Sequence, residues 1–423
     1  KYSYANLFEI LRNYANSEEL RRFLFLRKKN GDFYWDSELR KGRHRRLFRR
    51  LVREHAWDLK EVLFEAEAQY KLKQKGFKPR LRKVLAGRIS PEALGLRQEC
   101  YPHLIPFVKK AYAKYPVKAV AYELALRVSI RDAQYLYYLC ALRRNQMGQH
   151  KPGHVFDDLY YTYKLPKKSG GNRLITAPVQ RLKRLQKRIL NQGIRPVDVH
   201  ECAHGFLVGR SILTNAKIHV GRSCVVNVDI QSFFPNTSYK LILKVCGQLF
   251  DGQMSTPAKY ALADICSFSG GLPMGAPTSP GLANIVLKSA DQSISKACTK
   301  YGINYSRYAD DLTFSSDGHP VKIIPFVEKV LGELGYDLDQ KKTNIFRRGR
   351  RQVVTGLVVN EKANLPRRIR KRLRAAVHRR SVNKEIHWQG KPMSEDCLIG
   401  HLNWLHSVQP DEAKRYKKIL TES

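Results

Sequence analysis

The stretch Arg307-Tyr308-Ala309-Asp310-Asp311-Leu312-Thr313-Phe314 sets two adjacent carboxylates inside a run of strand-forming residues. The aromatic and β-branched side chains on either side predict a strand or a hairpin. Acids in such a run are costly unless something compensates them. A solvated turn is one explanation, because Asp tolerates turn backbone well. A bound cation is the other, and a second acid bears on the choice. Asp229 ends Val225-Val226-Asn227-Val228-Asp229-Ile230, a segment too apolar for a surface edge, and the aromatic pair Phe233-Phe234 follows it closely. A buried carboxylate needs a counter-charge. If the two strands are neighbours, Asp229 and Asp310 converge, and their oxygens are the ligands that Mg²⁺ prefers. Two such ions can activate an attacking hydroxyl and stabilise a departing pyrophosphate.

That chemistry requires a clamp for a triphosphate. Lys167-Lys168-Ser169-Gly170-Gly171-Asn172-Arg173 offers one, with Gly170-Gly171 as the hairpin turn and Lys167, Lys168 and Arg173 around it. Taken alone, it could equally be any exposed basic hairpin. A further element, Leu272-Pro273-Met274-Gly275-Ala276-Pro277-Thr278-Ser279-Pro280, is a Gly/Pro-rich loop that opens onto an apolar helix. Glycine there lets the backbone approach a ligand closely.

The whole chain fits an anionic partner. Of its 423 residues, 77 are Lys or Arg and 37 are Asp or Glu, a net charge of +40, and the basic residues run its full length. A hydrophobic content of 43% still allows a buried core, which excludes a disordered basic tail. A nucleic-acid backbone is the simplest partner for so extended a charge, with an anionic membrane surface as the rival. No apolar run reaches the roughly 18 residues needed to span a bilayer, and the first residues lack a signal peptide's apolar core, so a cytoplasmic location is expected. The eight cysteines form no C-x-x-C pair, which argues against zinc ligation and a disulfide framework and leaves them as buried thiols.

Residues 1–149 carry helical spacing, for example over 20–26 and 57–70, with a domain boundary expected near residue 115. After His150 short β-branched runs at 160–165, 173–177, 224–230, 304–314 and 352–359 alternate with helical patterns, which predicts an α+β region. From residue 365 the pattern is helical and strongly basic.

In this order, the basic hairpin, D-x-x-x-F-F, L-P-x-G-x-x-x-S-P and Y-A-D-D resemble the motifs of reverse transcriptases, from about residue 120 onward. Asn215-Ala216-Lys217-Ile218-His219 and Val354-Thr355-Gly356 resemble the N-A-x-x-H and V-T-G elements of the bacterial retron enzymes. The resemblance implies a right-hand polymerase, with fingers and palm over 116–362 and a helical thumb over 363–423; the basic helical extension over 1–115 departs from it, being longer than a compact retron enzyme requires. The resemblance implies RNA-templated DNA synthesis with two Mg²⁺ ions held by Asp229 and Asp310, supported by Asp311 and completed by the Ile230 carbonyl. Lys168 and Arg173 would hold the dNTP, together with Phe233, Met274 and Gly275. Phe234 would be the steric gate that rejects a 2′-hydroxyl, and Lys342 would sit near the leaving pyrophosphate, with Lys341 as the competing assignment.

Met274 departs from the family, which usually carries Gln there, and a thioether cannot donate an amide hydrogen bond. The resemblance also implies a structured noncoding RNA as template and primer, an RNA-linked DNA product, an effector protein and a role in phage defence. Asn215 and His219 have two readings, RNA recognition or a core hydrogen-bonded pair. Arg367, Arg368, Arg370, Lys371, Arg372 and Arg374 are read as RNA contacts or as a solvated helix face, and self-repulsion favours a phosphate partner. Another bacterial reverse transcriptase, defence-associated or group II intron-like, would keep the three acids without N-A-x-x-H or V-T-G. A non-catalytic RNA-binding scaffold would need neither the acids nor the basic hairpin.

Overall fold

The structure, a computed structural model, describes residues 64–166 except 66 and 70, residues 170–382 and residues 384–422. The helical pattern over 20–26, most of that over 57–70, and Lys167 and Lys168 lie outside the described residues. Two compact units partition the chain: Lys1–His150 with Phe250–Leu262, and Lys151–Leu249 with Ala263–Ser423.

In the first unit, helix α1 (Phe77–Leu85) buries Phe77, Leu81, Val84 and Leu85, the one-face spacing of an amphipathic helix. Helices α2 (Ile105–Ala111) and α3 (Pro116–Val128) each carry proline in the first turn, where a missing N–H costs no hydrogen bond. Helix α4 (Ala133–Gln146) packs against α3. Glu123 of α3 is buried and accepts from the Ser255 N–H at 2.9 Å and hydroxyl at 2.6 Å. That bond ties a segment from far along the sequence into this unit. The boundary expected near residue 115 therefore falls inside the unit, between helices that share one core.

The second unit mixes helix and sheet, as the α+β expectation has it. Strands β1 (Tyr160–Pro166) and β2 (Asn172–Pro178) form an antiparallel hairpin. Helix α5 (Gln180–Ile189) buries Leu182, Leu185, Gln186 and Ile189 and turns its basic residues outward. Helix α6 (Ile212–Lys217) starts at a capping box, in which the Ser211 hydroxyl accepts from the Thr214 N–H and the Thr214 hydroxyl accepts from the Ser211 N–H. The central sheet has four antiparallel strands in the order β4-β5-β3-β6: β3 (Cys224–Asp229), β4 (Asn304–Tyr308), β5 (Asp311–Ser316) and β6 (Asn344–Arg347). Helices α7 (Ser279–Val286) and α8 (Lys288–Lys300) lead into β4.

Strands β7 (Val353–Val354) and β8 (Leu357–Val358) close on Thr355-Gly356, with φ of 46° and 83°. Positive φ at both turn residues is the type I′ geometry that matches strand twist. Helices α9 (Arg367–Ser381), α10 (Glu395–Val408) and α11 (Pro410–Glu422) follow. Their apolar faces, with Leu373, Leu402 and Ala413, share a core with Val225 of β3, Val354, Leu357 and Ala216. No described helix is long and apolar enough to cross a membrane.

Candidate active site

The Asp310-Asp311 pair is a turn and a strand start together. Tyr308 pairs with Asp311 across the hairpin, which leaves Ala309-Asp310 as a two-residue turn. Ala309 has φ 59°, positive at the first turn position only, as a type II′ turn requires. Glycine is usual there, because a Cβ crowds the left-handed backbone. Strand β3 lies on the other side of β5 with Asp229 directly opposite Asp311, and the Ile230 N–H donates to the Asp310 carbonyl at 3.0 Å. The pairing thus gathers three carboxylates at one end of the sheet, and β3 is a central strand, as its apolar sequence predicts.

Like charges opposed across a sheet repel. Burial and the Asp229 charge raise the pKa of Asp310 above the usual carboxylate range, against the opposing charges of Lys342 and Arg173. Desolvation, then the charges of Asp310 and Asp229, raise that of Asp311 too. Because Asp311 is exposed to water, repulsion is the sounder of those causes. Lys342, from the turn after Asp339, donates to Asp229 Oδ1, with Asp339 Oδ2 at 3.5 Å. Burial lowers its basicity, but the bond and charge of Asp229 outweigh this and raise it overall. Of the two neighbouring lysines, Lys342 is the one on the carboxylates.

Among the described residues no group of three or more Asp, Glu, His or Cys side chains is arranged to hold a metal ion by itself. The donors present are hard oxygens, carboxylates with the Ile230 backbone beside them. Mg²⁺ suits such a partial set, which it completes with water and phosphate. The Asp229 charge that raises Asp310, and the Asp310 and Asp229 charges that raise Asp311, are a repulsion that a cation relieves.

The two adjacent rings, both expected at the nucleotide, are placed differently. Phe233 is buried, 5.3 Å from Phe234 and 5.6 Å from Tyr336, so it braces Phe234 from behind and has no surface for a nucleotide. This corrects its expected nucleotide contact. Phe234 is half-buried, and its carbonyl accepts from the Leu272 N–H at 3.0 Å. The L-P-M-G loop is thereby tied to that ring. The loop also meets the basic hairpin: the Met274 carbonyl accepts from Thr176 N–H at 2.9 Å, and a Cβ on Gly275 would lie 2.9 Å from the Thr176 carbonyl. Only glycine allows that approach. Met274 is half-buried and Gly275 exposed. Arg173 is exposed on β2, and its charge reaches Asp310; Lys168 is outside the described residues.

Phe206 belongs to this site and escaped the sequence reading. It is 55% exposed at φ 64°, an outlier for a bulky residue, and its ring lies 6.4 Å from both Phe234 and Tyr308. Its only sequence signal is the preceding Gly205, where a Cβ would come within 2.6 Å of the Ala309 nitrogen.

Asn215 and His219 are wholly buried, which corrects their expected contact with RNA: neither exposes an atom to reach it. Nor do they form the alternative pair. His219 Nδ1 and Nε2 each lie 2.7 Å from a serine hydroxyl, Ser315 of β5 and Ser306 of β4, and burial pushes the imidazole down to about 3. The Asn215 amide finds no partner among the described residues. The Thr355 hydroxyl donates to the Ile212 carbonyl at 3.1 Å, so V-T-G packs on the helix that carries N-A-x-x-H. On α9, Arg367, Arg368, Lys371 and Arg374 are exposed, Arg372 is half-buried, and Arg370 lies 3.9 Å from Glu412 of α11.

A family model described as reverse transcriptase (RNA-dependent DNA polymerase) matches residues 165–390, more than half of the chain. The chain belongs to that family, on its retron-type side. It is 34% identical over 300 residues to Retron Mx162 reverse transcriptase of Myxococcus xanthus, covering 62% of this chain and 60% of that protein. It is 35% identical over 279 residues to Retron Mx65 reverse transcriptase of the same organism, covering 61% and 64%. With Retron Ec86 reverse transcriptase of Escherichia coli it shares 29% over 302 residues, 70% of this chain and 85% of that one. The chain spans about three fifths of the length of the two Myxococcus relatives.

Proposed function

We propose that the chain is an RNA-directed DNA polymerase that copies part of a cognate structured noncoding RNA into single-stranded DNA left joined to it, msDNA. The observation that carries this reading is the gathering of Asp229, Asp310 and Asp311 at one sheet end, with Lys342 bonded to Asp229 and the Arg173 charge acting on Asp310. In the reaction a primer hydroxyl oxygen bonds to the α-phosphorus of a dNTP. The bond to pyrophosphate breaks, and the hydroxyl proton leaves. When bound, two Mg²⁺ ions would supply charge neutralisation and a more acidic primer hydroxyl.

Asp229 and Asp310 would hold them, with Asp311 and the Ile230 carbonyl in support. Arg173, with Lys168 of the same hairpin, neutralises the triphosphate, and Lys342 gives positive charge or a proton to the leaving pyrophosphate. Phe234 fills the space that a ribose 2′-hydroxyl needs, and the exposed Gly275 backbone admits the nucleotide. In this reading β1–β2 belongs to the fingers, the central sheet is the palm and residues 363–423 are the thumb. Similarity to retron enzymes supports a 2′-hydroxyl of the RNA as primer, and with it cytoplasmic phage defence beside an effector protein.

The test is to purify the protein from cells expressing its native locus and to sequence bound nucleic acid before and after RNase and debranching treatment. One DNA species joined 2′-5′ to one RNA is expected. Heterogeneous unlinked DNA would instead point to another class of reverse transcriptase. Asp310→Ala should abolish primer extension and leave RNA binding intact; a variant that still extends primers would remove Asp310 from the metal site.

A further inference from the structure

Arg307 has 1% of its surface exposed, yet its guanidinium is spent on more than a counter-ion. Its Nε and Nη2 grip Asp291 of α8, with Nη2–Oδ2 at 2.7 Å, and the Tyr305 hydroxyl donates to the same carboxylate at 2.8 Å. Its Nη1 donates in two further directions, to the Ala309 carbonyl at 3.0 Å and to Asn284 Oδ1 at 2.9 Å. Asn284, on α7, passes the connection on, because its amide donates to the Gly205 carbonyl at 2.9 Å. The Arg307 backbone closes the circle: its N–H donates to Cys202 and its carbonyl accepts from His204. One buried cluster therefore holds the backbone at two places, the turn that carries Asp310 and the segment that presents Phe206.

Both places carry left-handed backbone on residues with a Cβ, Ala309 at φ 59° and Phe206 at φ 64°. Such conformations persist only where the surroundings over-determine them. An ion pair kept only for the core would need the Asp291 contacts alone, and hydrophobic replacement of such pairs is often neutral. Two extra bonds distinguish this one, a direct bond to the strained Ala309 and a bond to Asn284, which in turn holds Gly205, the residue before the strained Phe206. We propose that Arg307 is a positioning residue, which through Ala309 and Asn284 fixes Asp310 and Phe206 relative to each other in the geometry that nucleotidyl transfer needs. The inference rests on the polymerase reading above.

Lysine can keep the charge opposite Asp291, but it lacks the planar fork that grips Asp291 along one edge while Nη1 reaches Ala309 and Asn284. Arg307→Lys and, separately, Asn284→Ala should be compared with the wild-type full chain. The expected result for both is at least a tenfold fall in kcat, with the active fraction, measured by burst amplitude, and RNA affinity preserved. Arg307→Lys should also bind Mn²⁺ several-fold more weakly, read by electron paramagnetic resonance with template-primer and a non-hydrolysable dNTP. A fall in thermal stability or active fraction with kcat and Mn²⁺ affinity unchanged would make Arg307 a purely structural residue and overturn the proposal. A wild-type chain that extends no primer would overturn the polymerase reading and this inference with it, a result separable from variants that match an active wild type.

Discussion

Phe234 stands where two aromatic contacts and a backbone bond meet: Phe233 behind it, Phe206 beside it, and the Leu272 N–H bonded to its carbonyl. A ring packed against two others on an anchored backbone resists swinging away from a bulkier sugar, so its removal should relax sugar selection. Phe234→Ala is expected to lower the preference for dNTPs over ribonucleotides by roughly 10- to 200-fold, the range that a close steric contact controls. The check is the ratio of kcat/KM values on one template; a ratio equal to that of the wild type would place the gate elsewhere. At this scale the acids were legible, because Asp229, Asp310 and Asp311 sit in strand patterns where a carboxylate needs a reason. Which of two adjacent rings or lysines faces the site was legible only through the family resemblance. That depends on the short helical turn at Phe233–Asn236 and on the turn after Asp339, whose geometry no spacing encodes. Phe206 was hidden for a related reason, since its placement depends on the close approach of Gly205 to Ala309.

The elements explain why two sequence markers that suggested RNA recognition lie in the interior. His219, just beyond α6, bonds to Ser306 on β4 and Ser315 on β5, the two strands whose turn carries Asp310. His204, before α6, is buried as well, and burial with the Arg210 charge lowers it to about 4. Both imidazoles fold neutral, which fixes the sign of a pH effect. Above the unfolded value of 6.5 neither state gains a proton and the fold keeps its full stability. As pH falls below 6.5 the unfolded chain takes up protons that the fold refuses until about 4 for His204 and about 3 for His219. Stability should decline through that window by up to about 1.4 kcal/mol per pH unit for each histidine. The melting temperature is therefore expected to drop between pH 6.5 and 5, with a shallower slope in His219→Gln whatever its absolute stability; parallel curves would show that His219 is not the acid-sensitive group. Most strands were legible from their β-branched runs. Strand β6 was missed because three of its four residues, Asn344, Ile345 and Arg347, are exposed and show no buried period.

Across the whole molecule the charge of +40 was plain from composition, but its deployment depends on packing. Residues 250–262 belong with the first 150, a return that no local signal announces. Helix α9 shows how charge and core combine: Leu373, Ala376 and Val377 enter the core shared with β3, and that anchorage leaves Arg367, Arg368, Lys371 and Arg374 on the surface. Arg370 and Arg372 are set apart, one near Glu412 and the other half-buried, so their removal should disturb packing as well as charge. The four exposed residues can meet phosphates without rearrangement, and phosphate contacts carry no base identity. Changing all four to alanine is expected to weaken binding of matched and scrambled structured RNAs by a similar factor. It should also flatten the dependence of log affinity on log salt by about 3, the counterion release of four lost contacts. Fluorescence anisotropy across a salt series measures both quantities. An unchanged slope would mean that α9 faces water and that the phosphates are met elsewhere on the basic surface. A loss confined to one RNA would mean that these side chains read bases, a role their exposure alone does not require.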